Sequence, residues 1–308
     1  MSDFTSAKTS HRHGVVSVLV ALPFVSLTGL FGKFLTFSPL LIVQGRTVFA
    51  FGALLLALFF LRKKIFFSDL REWLWLTLSG SILGAHWIAF FQAIQVSTVA
   101  IGLLSFASYP LFTTLLEPLF FREPLRVRNV FAALIVICGL VLMSSSSSDD
   151  SSTIISGSVF HGILWGLMAG FGFAVLTLLN RGHVRKHSAL LITCWQNGFA
   201  ALVILPWSLS ESWIISGKEL SLLFILGVVC TVGGHTLLIN GLRHVRAQVA
   251  SMLIAGLEPV FAILFALFLL GEVPSLQTLL GGVLIMSTTV FIIYGTEQKE
   301  IPEQAVSK

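Results

Sequence analysis

Residues 144–157 read SSSSSDDSSTIISG, a serine run carrying Asp149 and Asp150 and lacking any apolar period. A stretch of this composition makes a flexible linker, not a packed element. Its position decides the fold, because five long apolar segments precede it and five follow. By number they are 14–36, 39–61, 72–92, 97–120 and 127–145, then 158–180, 189–209, 219–242, 247–270 and 275–296. Each approaches the roughly 20 apolar residues that a helix needs to cross a bilayer core. The expected fold is an all-α polytopic membrane protein of ten transmembrane helices. Its parts are an N-terminal tail and first five-helix repeat (1–143), a periplasmic serine-rich linker (144–157), a second five-helix repeat (158–296) and a cytoplasmic tail (297–308).

Composition agrees with that division. The chain is 56% hydrophobic and 11% charged, with a mean hydropathy of +0.93, whereas soluble domains average about 25% charged residues. A pI near 9.4 would suit nucleic acid only if the basic residues shared one exposed face. Here they cap apolar runs, so no nucleic-acid partner is expected. Cys138, Cys194 and Cys230 lie inside apolar segments at no disulfide or metal-ligand spacing. The first segment, after His11-Arg12-His13, has the layout of a signal peptide, but its removal would break the parity of ten, and it is read as a span.

The basic residues test the segment count. With the inter-segment stretches numbered alternately, one side holds Lys8, Arg12, Arg62, Lys63, Lys64, Arg71, Arg122, Arg126, Arg128, Arg181, Arg185, Lys186, Arg243, Arg246, Lys299 and Lys308. The other side holds Lys33 and Lys218, and Arg46 lies within a segment. Basic loops stay in the cytoplasm, so both termini are expected there and the protein in a bacterial inner membrane. One missed helix would scramble this pattern.

The two sets of five resemble each other. Ser38, Leu40, Leu41, Ile42, Phe49 and Ala50 recur 150 positions on as Ser188, Leu190, Leu191, Ile192, Phe199 and Ala200. His86, Val96, Pro110, Phe112 and Glu123 recur 149 positions on as His235, Val245, Pro259, Phe261 and Glu272. A rival register pairs Glu117-Pro118 with Glu258-Pro259, but it sets Glu123, at a segment end, against Leu264 in mid-segment. Because five is odd, the second set enters the membrane from the opposite side. Inverted repeats of this kind hold a site near the midplane and expose it to each side in turn.

Pro110, Phe112 and Arg122-Glu123 in one half, with Pro259, Phe261 and Gly271-Glu272 in the other, resemble the duplicated repeat of EamA-type transporters in the drug/metabolite transporter superfamily. The small-residue helices at Ala132–Val136 and Gly281–Ile285, and Arg46 on the second segment, are similar to that family too. The resemblance implies ten helices, cytoplasmic termini and a small-molecule substrate, and leaves that substrate open among amino acids, amines, nucleosides and S-adenosylmethionine.

Candidate site residues follow from depth. A charge at a helix centre costs about 2.5–3.5 kcal/mol, so it faces a partner or a cavity. Glu258 lies about 18 Å beyond Arg246 at the helical rise, close to the midplane, and precedes Pro259, which removes a helix hydrogen bond. The repeat sets Tyr109-Pro110 opposite this pair, marking Pro110 and Pro259 as helix-break or hinge positions. Glu258 is expected to hold an amine or exchange a proton, or else to serve as a hydrogen-bonded structural carboxyl. Arg46, about 12 Å inside Ser38, suits a carboxylate, and Gln196 stands at its repeat-related position. His86 and His235 are equivalent and read either as substrate or proton ligands or as helix-to-helix hydrogen-bonding residues. Trp87, Tyr109, Trp165 and Trp195 are expected to form an aromatic wall.

Enzyme motifs are absent: there is no His-Glu-x-x-His, no nucleotide loop, and every Asp lies outside the segments. No catalytic residue, metal or cofactor is expected. The leading reading is a carrier, monomeric or homodimeric, that exports or exchanges an amino acid or related amphoteric compound by alternating access, with protons as a candidate coupling ion. Uptake of a nucleoside-like metabolite such as S-adenosylmethionine is the second reading, and a non-transporting structural or receptor protein the third.

Overall fold

The computed structural model describes residues 2–121, 127–144, 157–245 and 247–288. Arg122, Glu123, Arg246, most of the serine linker, residues 289–296 and the 297–308 tail lie outside the described residues. The helices are α1 (Ser2–Phe34), α2 (Pro39–Phe60), α3 (Leu70–Val96), α4 (Val99–Phe106), α5 (Tyr109–Phe121), α6 (Val127–Ser144), α7 (Ser158–His183), α8 (Ala189–Ser208) and α9 (Gly217–Phe224). A π-helix (Ile225–His235) follows, then α10 (Thr236–Gly241), α11 (Ala247–Leu270) and α12 (Leu276–Thr288). Eight helical segments are long and apolar enough to cross a membrane, with α4–α5 and α9–π–α10 each counting as one. The fifth and tenth expected segments correspond to α6 and α12, which border residues outside the described ones.

Local chemistry sets the ends. Ser38 and Ser188 each cap a helix by accepting the backbone N–H three residues on, of Leu41 and Leu191, at 3.3 Å, which satisfies a donor the helix cannot. Phe60, Leu119 and Phe268 stand 77–79% exposed on the outside, as side chains facing lipid do.

The halves interlock instead of folding apart. α3 packs on α7 as α1 packs on the π-helix, and α3 packs on α8 as α2 packs on the π-helix. α4 and α5 lie on α7 as α1 lies on α11, while α2 crosses α8. Each of these contacts has a counterpart obtained by exchanging the halves. Two glycines show it at atomic scale. A Cβ on Gly80 would stand 2.6 Å from Phe199 Cβ and 2.8 Å from the Gln196 carbonyl; one on Gly227 would stand 2.6 Å from Phe49 Cβ and 2.8 Å from the Arg46 carbonyl. The 150-residue spacing thus joins residues with the same packing role.

Inter-helix ends gather in two groups. At one end Lys33 donates to the Ser97 carbonyl (2.7 Å), Thr36 donates to Glu219, Ser38 to Glu211, and the Val99 N–H to Glu272 (2.9 Å). At the other, basic end Trp195 donates to the Ile65 carbonyl (2.7 Å) and Arg243 to those of Val184 (3.1 Å) and His187 (2.8 Å). Helices that cross the same layer in alternation group their ends in this way.

Candidate functional site

Between the two ends lies an enclosed cavity of about 20 Å³, lined from both halves and including Arg46, His86, Trp87, His235 and Glu258. Its volume suits about one water molecule. The Arg46 guanidinium, 1% exposed, lies 3.6 Å from the centroid of the Trp87 ring and 5.7 Å from that of Phe91. Its Nε and Nη2 donate to Thr231 Oγ1 at 3.2 and 2.8 Å. A desolvated cation–π contact contributes about 2 kcal/mol and a hydrogen bond to a charged group about 1.5–3 kcal/mol. Together these offset the cost of a charge at this depth. Nη1 is buried without a protein partner.

Thr231 reaches Arg46 because of the π-helix. Its hydroxyl also donates to the Leu226 carbonyl five residues back (2.7 Å), the spacing of a π turn. From Gly80 to His86 the first half advances six residues, whereas the matching stretch from Gly227 to His235 advances eight. Wide π turns absorb the two extra residues and return His235 to the cavity opposite His86.

The two histidines differ. His86 Nδ1 lies 2.8 Å from the Ala169 carbonyl. A carbonyl only accepts, so Nδ1 carries the hydrogen and Nε2, buried and without a partner, presents a lone pair. His235 Nδ1 is likewise buried without a partner, as is Trp87 Nε1. The cavity therefore combines N–H donors from Arg46 and Trp87 with acceptors from His86 and Glu258. Phe90, Phe106 and Phe173 add ring faces to its wall, and Cys230 lines it beside Arg46. Among the described residues no group of three or more His, Cys, Asp or Glu side chains has the arrangement to hold a metal ion.

Of the residues singled out in the sequence, Arg46, His86, Trp87, His235 and Glu258 meet here. Tyr109 stands behind the wall, its ring 4.9 Å from Phe106 and 4.8 Å from Phe173, its hydroxyl donating to the Ser251 carbonyl (2.6 Å). Trp195 is elsewhere, 4.6 Å from Trp73 in an aromatic cluster at the basic end. Gln196 donates to Asn180 between α8 and α7, and Trp165 does not line the cavity. The helix is interrupted at Ala107–Ser108, two residues before Pro110, but α11 runs unbroken through Pro259. Pro259 leaves the Ala255 carbonyl without its helical donor, a group that neighbours can satisfy inside a membrane helix, and Ser26 donates to the adjacent Glu258 carbonyl (3.3 Å). Thr231, Phe106 and Phe173 were not singled out from the sequence. Phe90 follows His86 by four residues, a same-face spacing that could have found it.

A bundle of membrane-length helices, with a largely apolar chamber holding a few buried polar and charged side chains between interlocked halves, defines a multi-pass membrane protein with a central site. The EamA-like transporter family matches twice, at residues 12–145 and 160–294. The chain is 25% identical over 273 residues to the uncharacterised transporter YwfM of Bacillus subtilis strain 168, covering 87% of this chain and 88% of that one. It is 27% identical over 225 residues to an S-adenosylmethionine uptake transporter of Rickettsia felis, covering 72% of each. Across the relatives matched, alignments span from about half to nearly nine tenths of the relative's length. A solved structure titled "Crystal structure of protein" shares the fold with a TM-score of 0.64 at 17% identity, over 91% of this chain and 94% of that one. The chain belongs to the EamA-like transporter family and is a membrane transporter, not an enzyme. The structural-protein reading yields to that membership.

Proposed function

We propose that this transporter moves a metabolite bearing an α-amino carboxylate by alternating access between two inverted repeats, with its termini in the cytoplasm of a bacterium. One observation carries the reading: Arg46 and Glu258, a base and an acid from different halves, line one enclosed chamber. A guanidinium suits a carboxylate, and a carboxylate suits an ammonium or another cation.

S-Adenosylmethionine takes precedence over a plain amino acid. The comparisons lend the amino-acid reading no support, while relatives carry the S-adenosylmethionine name. The chemistry favours the same order. Beyond its amino-acid end this metabolite has a sulfonium cation and a planar base, and Trp87, Phe90, Phe106 and Phe173 offer ring faces for both. The chamber is far smaller than either candidate, so binding requires the halves to separate. Inverted repeats give two equivalent ways of doing so, one toward each side.

Counterflow in proteoliposomes tests this with S-adenosylmethionine, S-adenosylhomocysteine, methionine and adenosine. Exchange of S-adenosylmethionine, with weaker competition from the uncharged thioether, is expected. Methionine exchange without it would restore the amino-acid reading, and exchange of none of the four would overturn the substrate class proposed here.

A further inference from the structure

Besides Arg46 and Glu258, the chamber holds two neighbouring polar atoms to which no substrate group has yet been matched. His86 and Trp87 adjoin on α3, their rings 4.8 Å apart, and both line the chamber. His86 is 2% exposed, and its ring sits among those of Phe173 (5.3 Å), Phe106 (5.6 Å) and Phe90 (6.3 Å). His86 Nε2 and Trp87 Nε1 are each buried without a protein partner. A buried polar group left unmet carries its full desolvation cost, so two side by side call for a ligand that meets both.

The fold fixes which of the two donates. Small residues bring the α7 backbone up to His86: a Cβ on Gly172 would stand 3.1 Å from His86 Cβ. The Ala169 carbonyl, on the same helix, lies 2.8 Å from His86 Nδ1. That oxygen only accepts, so Nδ1 carries the ring hydrogen. No acceptor faces Nε2 to hold a second proton, and it presents a lone pair. An indole nitrogen only donates, so Trp87 Nε1 presents an N–H. His235 lacks such an anchor, its Nδ1 being buried without a partner. The α3 edge is therefore one acceptor beside one donor, held in that order by the α7 backbone.

A carboxylate offers only lone pairs and would be repelled by His86 Nε2. An ammonium offers only N–H groups and would be repelled by the Trp87 N–H. A heterocycle with an amino group beside a ring nitrogen offers one of each, as adenine does. The ring faces around His86 suit stacking of such a base. We infer that His86 and Trp87 read the base of the substrate: His86 Nε2 accepts from its exocyclic amino group, and Trp87 Nε1 donates to the neighbouring ring nitrogen. On the S-adenosylmethionine reading proposed above, on which this assignment rests, the pair receives the adenine while Arg46 and Glu258 serve the charged groups. Hypoxanthine, in which a carbonyl oxygen replaces the amino group, would set one lone pair against another at Nε2. The pair thus selects by repulsion as well as by attraction.

Counterflow of labelled S-adenosylmethionine in proteoliposomes, competed either by the unlabelled compound or by its hypoxanthine analogue S-inosylmethionine, tests the pair. In the wild-type protein the analogue should compete at least about tenfold more weakly. His86→Phe keeps a ring among the aromatic neighbours and removes the lone pair, so the preference should fall to within about twofold. A residue that only packs would weaken both competitors alike and leave their ratio unchanged. Equal competition in the wild type overturns the base assignment and leaves S-adenosylmethionine transport standing. A preference undiminished in a folded His86→Phe, with melting temperature as the check, overturns it too. Where that variant does not fold, the wild-type ratio still decides. Absence of S-adenosylmethionine exchange in the wild type would overturn the transport reading and the base assignment together, so the two failures are told apart.

Discussion

Arg46 and Trp87 are stacked at 3.6 Å, guanidinium carbon to ring centroid, with a base from α2 lying on an aromatic residue of α3 inside the closed chamber. Thr231, from the other half, holds the far edge of the same guanidinium. Arg46 is thus oriented by both halves, while Nη1 stays buried without a protein partner. Arg46→Lys keeps the charge but loses the planar fork. It should reduce substrate affinity at least about tenfold, equivalent to about 1.4 kcal/mol. Thr231→Val should cause a similar loss and Thr231→Ser little. Binding isotherms in detergent, with melting temperatures as the check on folding, would measure both.

Glu258 contributes the acid of the chamber. Glu258→Gln is close in shape but cannot hold a cation or release a proton, so it should abolish competition by cationic substrates. As a hypothesis motivated by its midplane position, Glu258 also couples transport to protons. Uptake driven by an imposed pH gradient should then be lost in Glu258→Gln. An unchanged response to the gradient in that variant would remove Glu258 from the coupling path.

Gly80 and Gly227 occupy matching close approaches. Since a Cβ at either would come within 2.6–2.8 Å of a helix opposite, Gly80→Ala and Gly227→Ala should each destabilise by about 1–3 kcal/mol. Gly52→Ala, where a Cβ meets nothing within 4 Å, should be neutral or stabilising by up to about 1 kcal/mol. Thermal unfolding of the three variants in the same detergent would separate these outcomes.

The architecture was legible because bilayer physics writes it in long apolar runs and basic caps, and Phe49/Phe199 exposed the repeat. Depth arguments singled out Arg46 and Glu258, since a charge in lipid must find company, and the repeat singled out His86 and His235; that the four meet in one chamber is visible only in the structure. Aromatic side chains were read less well. Tryptophan tolerates both a wall and an interfacial cluster, so Trp195 could not be placed from sequence, and Phe, with 27 copies, gives no individual signal at Phe106 or Phe173. The π-helix was invisible as well. It depends on two residues inserted between Gly227 and His235, which the histidine alignment alone hides.

Cys230 lines the chamber beside Arg46, and its thiol offers the most direct test of where substrate binds. In a Cys138→Ser, Cys194→Ser background, membrane-impermeant maleimide should label Cys230 from either face of sealed vesicles, and saturating S-adenosylmethionine should slow labelling from both. Labelling that S-adenosylmethionine leaves untouched, in vesicles that transport it, would contradict a substrate site in this chamber.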